Sequence, residues 1–275
     1  MSASPEPAGP GFRLADVDTS ATPGIHGGKR EAARKRAAHR DELADLQERL
    51  YATGKEDGHR SLLLVLQAMD TAGKGGIVRH VVGAFDPQGV HLHAFKAPTA
   101  EERAHDFLWR IRQQLPEPGM VGVFDRSHYE DVLIARVHGL APVAEIEERY
   151  GRIVDFEREL VASGTTIVKV MLHISPAEQR KRLARRLDRR DKQWKYNPGD
   201  VDERGYWDDY MAAYQRAIRR TTTEQAPWFV VPADHKWYSR WAVQTIVLDA
   251  LRAIDPKWPS VDYDVAEEKA RLAAT

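Results

Sequence analysis

Asp70, Lys74, Asp125 and Arg126 are the residues of this chain whose types and surroundings best suit chemistry on phosphate. The first two lie in Gln67-Ala68-Met69-Asp70-Thr71-Ala72-Gly73-Lys74-Gly75-Gly76, between the apolar run Ser61 to Leu66 and a helical pattern. A strand, a glycine loop and a helix in that order turn successive backbone N–H groups and a helix N-terminus toward a phosphate. A lysine at the loop's end then reaches the terminal phosphates. Lys74 suits that role, with the backbone of Ala72, Gly73, Gly75 and Gly76 around it. Against the general pattern G-x-x-x-x-G-K-[ST], Ala68 replaces the first glycine and Gly75 the hydroxyl residue that would touch magnesium. Asp70 offers a compensation, because a carboxylate in a phosphate nest repels its ligand unless a divalent cation lies between them. The plainer alternative is a glycine turn whose Asp caps the next helix.

A second acidic site follows Met120-Val121-Gly122-Val123-Phe124, a buried run ending in Asp125-Arg126-Ser127-His128-Tyr129-Glu130-Asp131. In a parallel sheet the ligand crevice lies beyond the strands' carboxyl ends, so Asp125 is expected beside the glycine loop. That is the Walker B position, which holds magnesium directly or through water. Arg126 next to it can bridge phosphate oxygens; the bland alternative is an Asp that caps a helix. Between Gln179 and Lys195, the segment QRKRLARRLDRRDKQWK carries nine basic residues and two aspartates. An exposed, solvated helix is the ordinary reading of such a run. Its position after the fourth strand instead suggests the lid of a phosphate-loop kinase, whose cations neutralise charge on the transferred phosphoryl group. Arg182, Arg185, Arg186, Arg189 and Arg190 fall at helical spacings there, and Lys192 and Lys195 extend the stripe past Trp194.

These residues need a scaffold, and the apolar runs supply one. Ser61 to Leu66, Val90 to Phe95, Met120 to Phe124, Thr166 to Ile174 and Trp228 to Val231 read as five buried strands separated by helices. That alternation implies a parallel sheet within an α/β layer sandwich. Helices are expected to begin near Lys74, Thr99, Tyr129, Val143, Pro176, Asp202 and His235. Tyr206, Trp207, Tyr210, Met211, Tyr214 and Ile218 read as the core face of one of them. His235, Lys236 and Trp237 follow the last strand and can reach the crevice from its far side, although His235 suits a cap equally well.

Residues 1–28 are rich in Pro, Gly, Ala and Ser and read as a flexible tail or a strap over the body. A helix is expected over 29–56, with Leu43, Leu46 and Leu50 on one face and the basic run Lys29, Arg30, Arg34, Lys35, Arg36 and Arg40 as a solvated face. The catalytic domain spans 57–258, including a lid at about 179–200, and 259–275 form a C-terminal tail. With 275 residues and 42% hydrophobic content a sizeable core is expected. Lys and Arg together number 41, matching 41 Asp and Glu, so anion binding must come from local clustering. The absence of cysteine excludes disulfides, thiolate metal sites and thiol nucleophiles. No run approaches the ~20 apolar residues of a spanning helix, and the N-terminus lacks a secretory pattern, so the expectation is a cytoplasmic protein without membrane partners.

QAMDTAGKGG, FDRSHYED, RRLDRRDKQWKYNPGD and APWFVVPADHKWYSRWAV together closely resemble the polyphosphate kinase 2 family, over about residues 18–255. The resemblance implies a three-layer α/β/α sandwich with a five-stranded parallel sheet, kinase-like around its phosphate loop, with a helical basic lid. It implies a phosphotransferase that moves a phosphoryl group reversibly between inorganic polyphosphate and a nucleotide, with magnesium, or manganese in its place. Catalytic roles carry over to Asp70, Lys74, Asp125 and Arg126, with Asp70 and Asp125 as metal ligands. Nucleotide and phosphate contacts are expected from the loop and from Arg79, Lys96 and Glu130. The lid contacts are expected from Arg182, Arg186, Arg189, Lys192 and Lys195. Tyr129-Glu130-Asp131-Val132-Leu133 looks like the subgroup that handles AMP and ADP, whereas Asp125 is the acid typical of the diphosphate group. By analogy with the family the chain is expected to form a homodimer or homotetramer. Nothing in the sequence reads as a base-recognition motif, so nucleic acid is not expected as a partner. The rivals are a nucleoside monophosphate kinase that uses ATP and a non-catalytic polyanion- or nucleotide-binding module.

Overall fold

The computed structural model describes residues 5–55 and 58–275; the boundary drawn between residues 56 and 57 and the first four residues of the expected tail lie outside the described residues. The chain runs through α1 (Gly28–Ala38) and α2 (Arg40–Thr53) into β1 (Ser61–Ala68) and α3 (Lys74–His80). β2 (Val90–Ala94), α4 (Ala100–Ala104) and α5 (Trp109–Arg112) precede β3 (Val121–Asp125). Then come α6 (Ile134–Val137), α7 (Val143–Ala162), β4 (Thr165–His173), α8 (Pro176–Asp188), α9 (Arg190–Gln193), α10 (Gly199–Asp202) and α11 (Trp207–Thr221). β5 (Trp228–Pro232), α12 (Lys236–Ile254) and α13 (Val265–Ala273) complete it.

All strand pairs are parallel, in the order β2-β3-β1-β4-β5. β1 and the first half of β3 are buried throughout because helices cover both sheet faces, which is why these strands are continuous rather than alternating apolar runs. Chain order reverses around β1: the path leaves through α3 to β2, returns to β3, then crosses through α7 to β4 on the other side. Ligands bind at such a switch point, beyond the carboxyl ends of the strands. The register pairs Leu66 with Asp125, so the end of β3 lies level with the entrance to the glycine loop.

The helices obey local signals. Ser175 accepts a hydrogen bond from Glu178 N–H, and Pro176 opens α8. Thr99 and Glu102 form a reciprocal capping box on α4. α7 buries Ile146, Tyr150, Ile153, Phe156 and Leu160 on one face, as the helical period demands. Where the end of α2 meets the turn before β3, Gly54 and Gly119 pack backbone to backbone: a Cβ on Gly54 would stand 2.4 Å from Gly119 Cα.

Three stretches differ from the sequence expectation. The single helix expected over 29–56 is two, broken at His39 (φ −97°, ψ 0°). The break lets α1 bond to α12 through Arg36 and Gln244 while α2 turns Leu43, Leu46 and Leu50 into the core. The helix expected from Asp202 gives way to short turns before α11, which leaves Tyr206 exposed while Tyr210, Tyr214 and Ile218 are buried. The C-terminal stretch contains the exposed helix α13, capped by Asp264. Residues 5–28 lie across the β5 edge and α11: Ala8 N–H donates to Trp228 O at 2.7 Å, Leu14 N–H to Gln215 Oε1, and Thr19 Oγ1 to Asp234 Oδ2. The contact at Trp228 occupies a backbone acceptor of an edge strand that would otherwise be open.

Candidate active site

The glycine loop leaves β1 in a tight turn that only particular backbone angles permit. Gly73 has φ +131°, which a side chain would strain, and it frees the N–H groups at the start of α3 to face outward. Thr71 (φ 64°) and Arg126 (φ 65°) are left-handed without being glycine. For a β-branched residue such as Thr71 that conformation is rare and costs roughly 1–3 kcal/mol. Gln179 Nε2 donates to Asp70 O at 3.0 Å and helps to hold the turn.

Lys74 is buried with its Nζ 3.2 Å from Ala68 O and 3.9 Å from Asp125 Oδ1. Arg126 donates to Asp70 Oδ1 at 3.0 Å. Two carboxylates and two cations therefore alternate across the ends of β1 and β3. They open on a cavity of about 570 Å³ lined by all the residues expected to serve catalysis, phosphate or nucleotide binding, or the lid except Glu130; Arg190, His235 and Trp237 do not reach it. Lys96 and Arg79 stand on its rim, and the lid residues Arg186, Arg189, Lys192 and Lys195 form its outer wall. Arg186 donates to Lys195 O at 3.0 Å and Asp200 Oδ2 at 3.1 Å, tying α8 to the segment beyond α9. The lid is not one helix: its backbone extends at Arg189 (φ −109°, ψ 110°) before α9 begins.

Two candidates are placed differently from the others. Glu130 lies behind Arg126 instead of facing the cavity, and Gln67 Nε2 donates to its Oε1 at 3.1 Å. Burial pushes its carboxyl up, against the pull of Arg126 and Lys74. Burial likewise works against the charge on Arg126, but Glu130, Asp70 and Asp125 outweigh it and hold the guanidinium more firmly protonated. Glu130 thus favours the charge on Arg126 without pairing with it directly. Arg182, expected on the polyphosphate-facing stripe, is only 3% exposed. It donates to the carbonyls of Thr71, Ala72, Ala233 and Asp234 and to Glu178 Oε1. The position that looks like part of a basic stripe is a clamp joining the glycine loop to the end of β5. Arg182→Ala should therefore lower stability by about 3 kcal/mol and reduce activity with it, as those carbonyls lose a charged donor. Urea unfolding checks this; a variant as stable as the parent would remove the clamp assignment.

Sequence reasoning missed Ser239 and Arg240, and left Arg185 and Lys236 without a committed role, yet all four line the cavity. The signal was the helical spacing of Lys236, Ser239 and Arg240, which puts them on one face of the first turns of α12. Burial, then Arg182 and Arg185, pushes Lys236 down to about 8, and an arriving phosphate anion would raise it again and favour the charged ammonium.

Among the described residues no three acidic or histidine side chains gather to hold a metal by themselves. Two carboxylates that complete a shell with substrate oxygens and water are, however, how magnesium is commonly bound. Asp70 and Asp125 supply that donor set, and the buried Thr71 Oγ1, which has no hydrogen-bond partner among the described residues, lies on the same wall. The donor set fits a hard divalent cation between protein and phosphate.

A parallel sheet, a glycine loop at its switch point, an acid ending the adjacent strand and an arginine-rich flap fit an α/β phosphotransferase of the phosphate-loop type. The profile of a family, Polyphosphate kinase 2 (PPK2), matches residues 27–259. A Meiothermus ruber protein called AMP/ADP-polyphosphate phosphotransferase is 45% identical over 258 residues, 94% of each chain. A Rhodopseudomonas palustris protein called ADP-polyphosphate phosphotransferase is 43% identical over 80% of this chain and 78% of its own. The crystal structure of a polyphosphate kinase 2 from Arthrobacter aurescens TC1 superposes with a TM-score of 0.97 at 59% identity, covering 100% of this chain and 98% of that one. The chain belongs to the polyphosphate kinase 2 family. Among the described residues no helix is long and apolar enough to cross a membrane.

Proposed function

We propose that this polyphosphate-dependent nucleotide phosphotransferase accepts both AMP and ADP, with magnesium held by Asp70 and Asp125. The observation that carries the reading is the alternation of Asp70, Arg126, Asp125 and Lys74 at one end of the cavity. Two polyanions can meet there only if opposite charge is interleaved between them. A bound divalent ion would screen the charge between donor and acceptor phosphates and polarise the P–O bond that breaks.

The protein's own groups do the positioning. The N–H groups of Gly73, Lys74 and Gly75 and the Lys74 ammonium hold the phosphates at the loop, and Arg126, braced by Asp70 and kept charged by Glu130, bridges the reacting pair. A terminal phosphate oxygen of the nucleotide attacks the terminal phosphorus of polyphosphate in line. The bond to the next phosphate breaks, and the donor leaves one unit shorter with the electron pair on its oxygen. The acceptor oxygen is already anionic, so no side-chain nucleophile is needed. Acceptance of both nucleotides is supported by Glu130 and by the activity named for the Meiothermus relative.

Chromatography of nucleotide products tests this, with AMP and then ADP supplied alongside polyphosphate and magnesium: ADP and ATP are expected from the first, ATP from the second. Conversion of AMP with ATP but not with polyphosphate would leave the ATP-dependent kinase instead. Arg186→Ala and Lys192→Ala should weaken polyphosphate binding roughly tenfold with nucleotide affinity intact, as each removes a cavity-lining cation. Equal affinities would remove the lid from donor binding.

A further inference from the structure

We propose that Arg36 on α1 and Arg40 at the start of α2, together with Arg79, His80 and Arg240, form a distal subsite for the polyphosphate donor, continuing the active-site cavity past the C-terminal end of α3. The proposal rests on polyphosphate being the donor, as read in the preceding subsection. It reassigns a basic run whose ordinary reading is a solvated helix face.

A second cavity, of about 280 Å³, lies between α1, α3 and α12, with Arg36, Arg40, Arg79, His80 and Gln244 on its walls. Arg79 and His80 line both this cavity and the active-site cavity, so the two adjoin. Arg240 lines the active-site cavity, overlies Gly76, where a Cβ would stand 3.7 Å from its guanidinium, and is close enough to Arg36 to feel its charge.

The electrostatics of this place are one-sided. The charged groups acting on Arg36, His80 and Arg240 are all cations: Arg40 on Arg36; Arg240, Arg36 and Arg79 on His80; Arg36, Arg182 and Arg79 on Arg240. Burial first, and then these neighbours, lowers the proton affinity of all three. Among the described residues no carboxylate forms an ion pair with Arg36, Arg40, Arg79 or Arg240. Elsewhere Arg136 and Arg216 share Glu147, Arg149 meets Glu145, and Arg252 meets Glu42. A chain with zero net charge that pairs its arginines so widely leaves this set to repel one another.

The cations are also held in place. Arg36 Nε donates to Gln244 Oε1 at 3.1 Å and its NH2 to His80 O at 2.7 Å, while Gln244 Nε2 donates back to Arg36 O at 2.9 Å. A half-buried guanidinium fixed among like charges is suited to an anion that arrives from outside. The occupant must be anionic, must need no base recognition, and must reach through Arg79 and Arg240 to the phosphate loop. Consecutive phosphates of one donor chain meet all three conditions, whereas a free phosphate or a mononucleotide fills one cavity only.

Arg40→Glu and Arg36→Gln test the subsite, assayed with long-chain polyphosphate and with tripolyphosphate, whose three phosphates leave little chain beyond those held at the loop. Arg40 is exposed at the first turn of α2, where an acid favours the helix, so Arg40→Glu remains informative if Arg36→Gln disturbs α1. The KM for long-chain donor should rise roughly five- to tenfold, with the KM for tripolyphosphate and for nucleotide unchanged. Equilibrium binding of long-chain polyphosphate without nucleotide should lose about 0.7 from the log–log salt slope for each cation removed. An unchanged long-chain KM and salt slope in Arg40→Glu, or an equal rise with tripolyphosphate, overturns the subsite. A parent enzyme that transfers nothing from either donor overturns the functional reading alone. The subsite is then decided by the binding measurement, standing on a reduced slope and falling on an unchanged one.

Discussion

Asp70→Asn is expected to lower kcat by about 10³-fold while shifting Tm by no more than a few degrees. The carboxylate is, with Asp125, one of two acids lining the cavity among the described residues, and it fixes the Arg126 guanidinium through a 3.0 Å hydrogen bond. Its replacement removes the proposed ligand of a divalent ion and one brace of the arginine, both of which would matter most as charge redistributes in the transition state. The Asp70–Arg126 pair is partly exposed, at 28% and 39%, so its share of folding stability is at most about 1 kcal/mol. Polyphosphate binding without metal should be kept or strengthened, because one negative charge leaves the phosphate cradle. The measurement is steady-state kinetics beside thermal unfolding and metal-free binding. A variant within tenfold of the parent rate would remove Asp70 from the chemistry, and a chain that bound polyphosphate but never turned over would be a binding module.

The largest stability effect is expected behind the site. Lys169 on β4 is fully buried, with its Nζ 2.5 Å from Glu157 Oε2 on α7, 2.8 Å from Thr221 O and 3.1 Å from the Tyr129 hydroxyl. Tyr129 also donates to Glu157 Oε1 at 2.7 Å and lies in the turn that follows Asp125 and Arg126. Lys169→Met leaves a buried carboxylate without its cation and should cost about 3–5 kcal/mol in urea unfolding. Lys169→Met combined with Glu157→Gln should cost clearly less than the sum of the two single changes, since the orphaned charge is then absent. Additive losses would mean that the pair is not coupled. Burial disfavours the Glu157 anion, but Lys169 and His128 outweigh it and hold the carboxyl below its usual 4.5. A carboxyl depressed on folding contributes stability above its unfolded pKa and loses that contribution as pH falls through the folded value. The parent should therefore lose stability below about pH 4.5 more steeply than the double variant.

The scaffold and the inner site were readable from the chain because their signals are local. A strand covered on both faces is an uninterrupted apolar run, and each of the five runs became a strand. The loop and the acid after β3 stand at the ends of two such runs, so sheet topology alone brings Asp70 and Asp125 together. What escaped reading depends on contacts far apart in sequence. Arg182 and Arg186 sit one helical turn apart and look alike as text, yet Arg182 meets carbonyls of residues 71–72 and 233–234 while Arg186 reaches the second half of the lid. Arg240 joins the cavity only because α12 starts beside α3. The break at His39 has no glycine or proline to announce it; it follows from two packing partners that one straight helix could not serve together.

Thr71 and Arg126 place an unfavourable backbone angle on either side of the reacting groups, and that has a consequence for the protein's evolution in the laboratory. Glycine would relax both positions, and at Arg126 it would also delete the guanidinium that Asp70 braces. A library sorted only for heat resistance should accumulate glycine at 71 and 126 and grow hardier while falling silent as a catalyst. Thermal tolerance and turnover pull in opposite directions at these two codons, so any stabilisation campaign must hold them constant and look elsewhere for its gains.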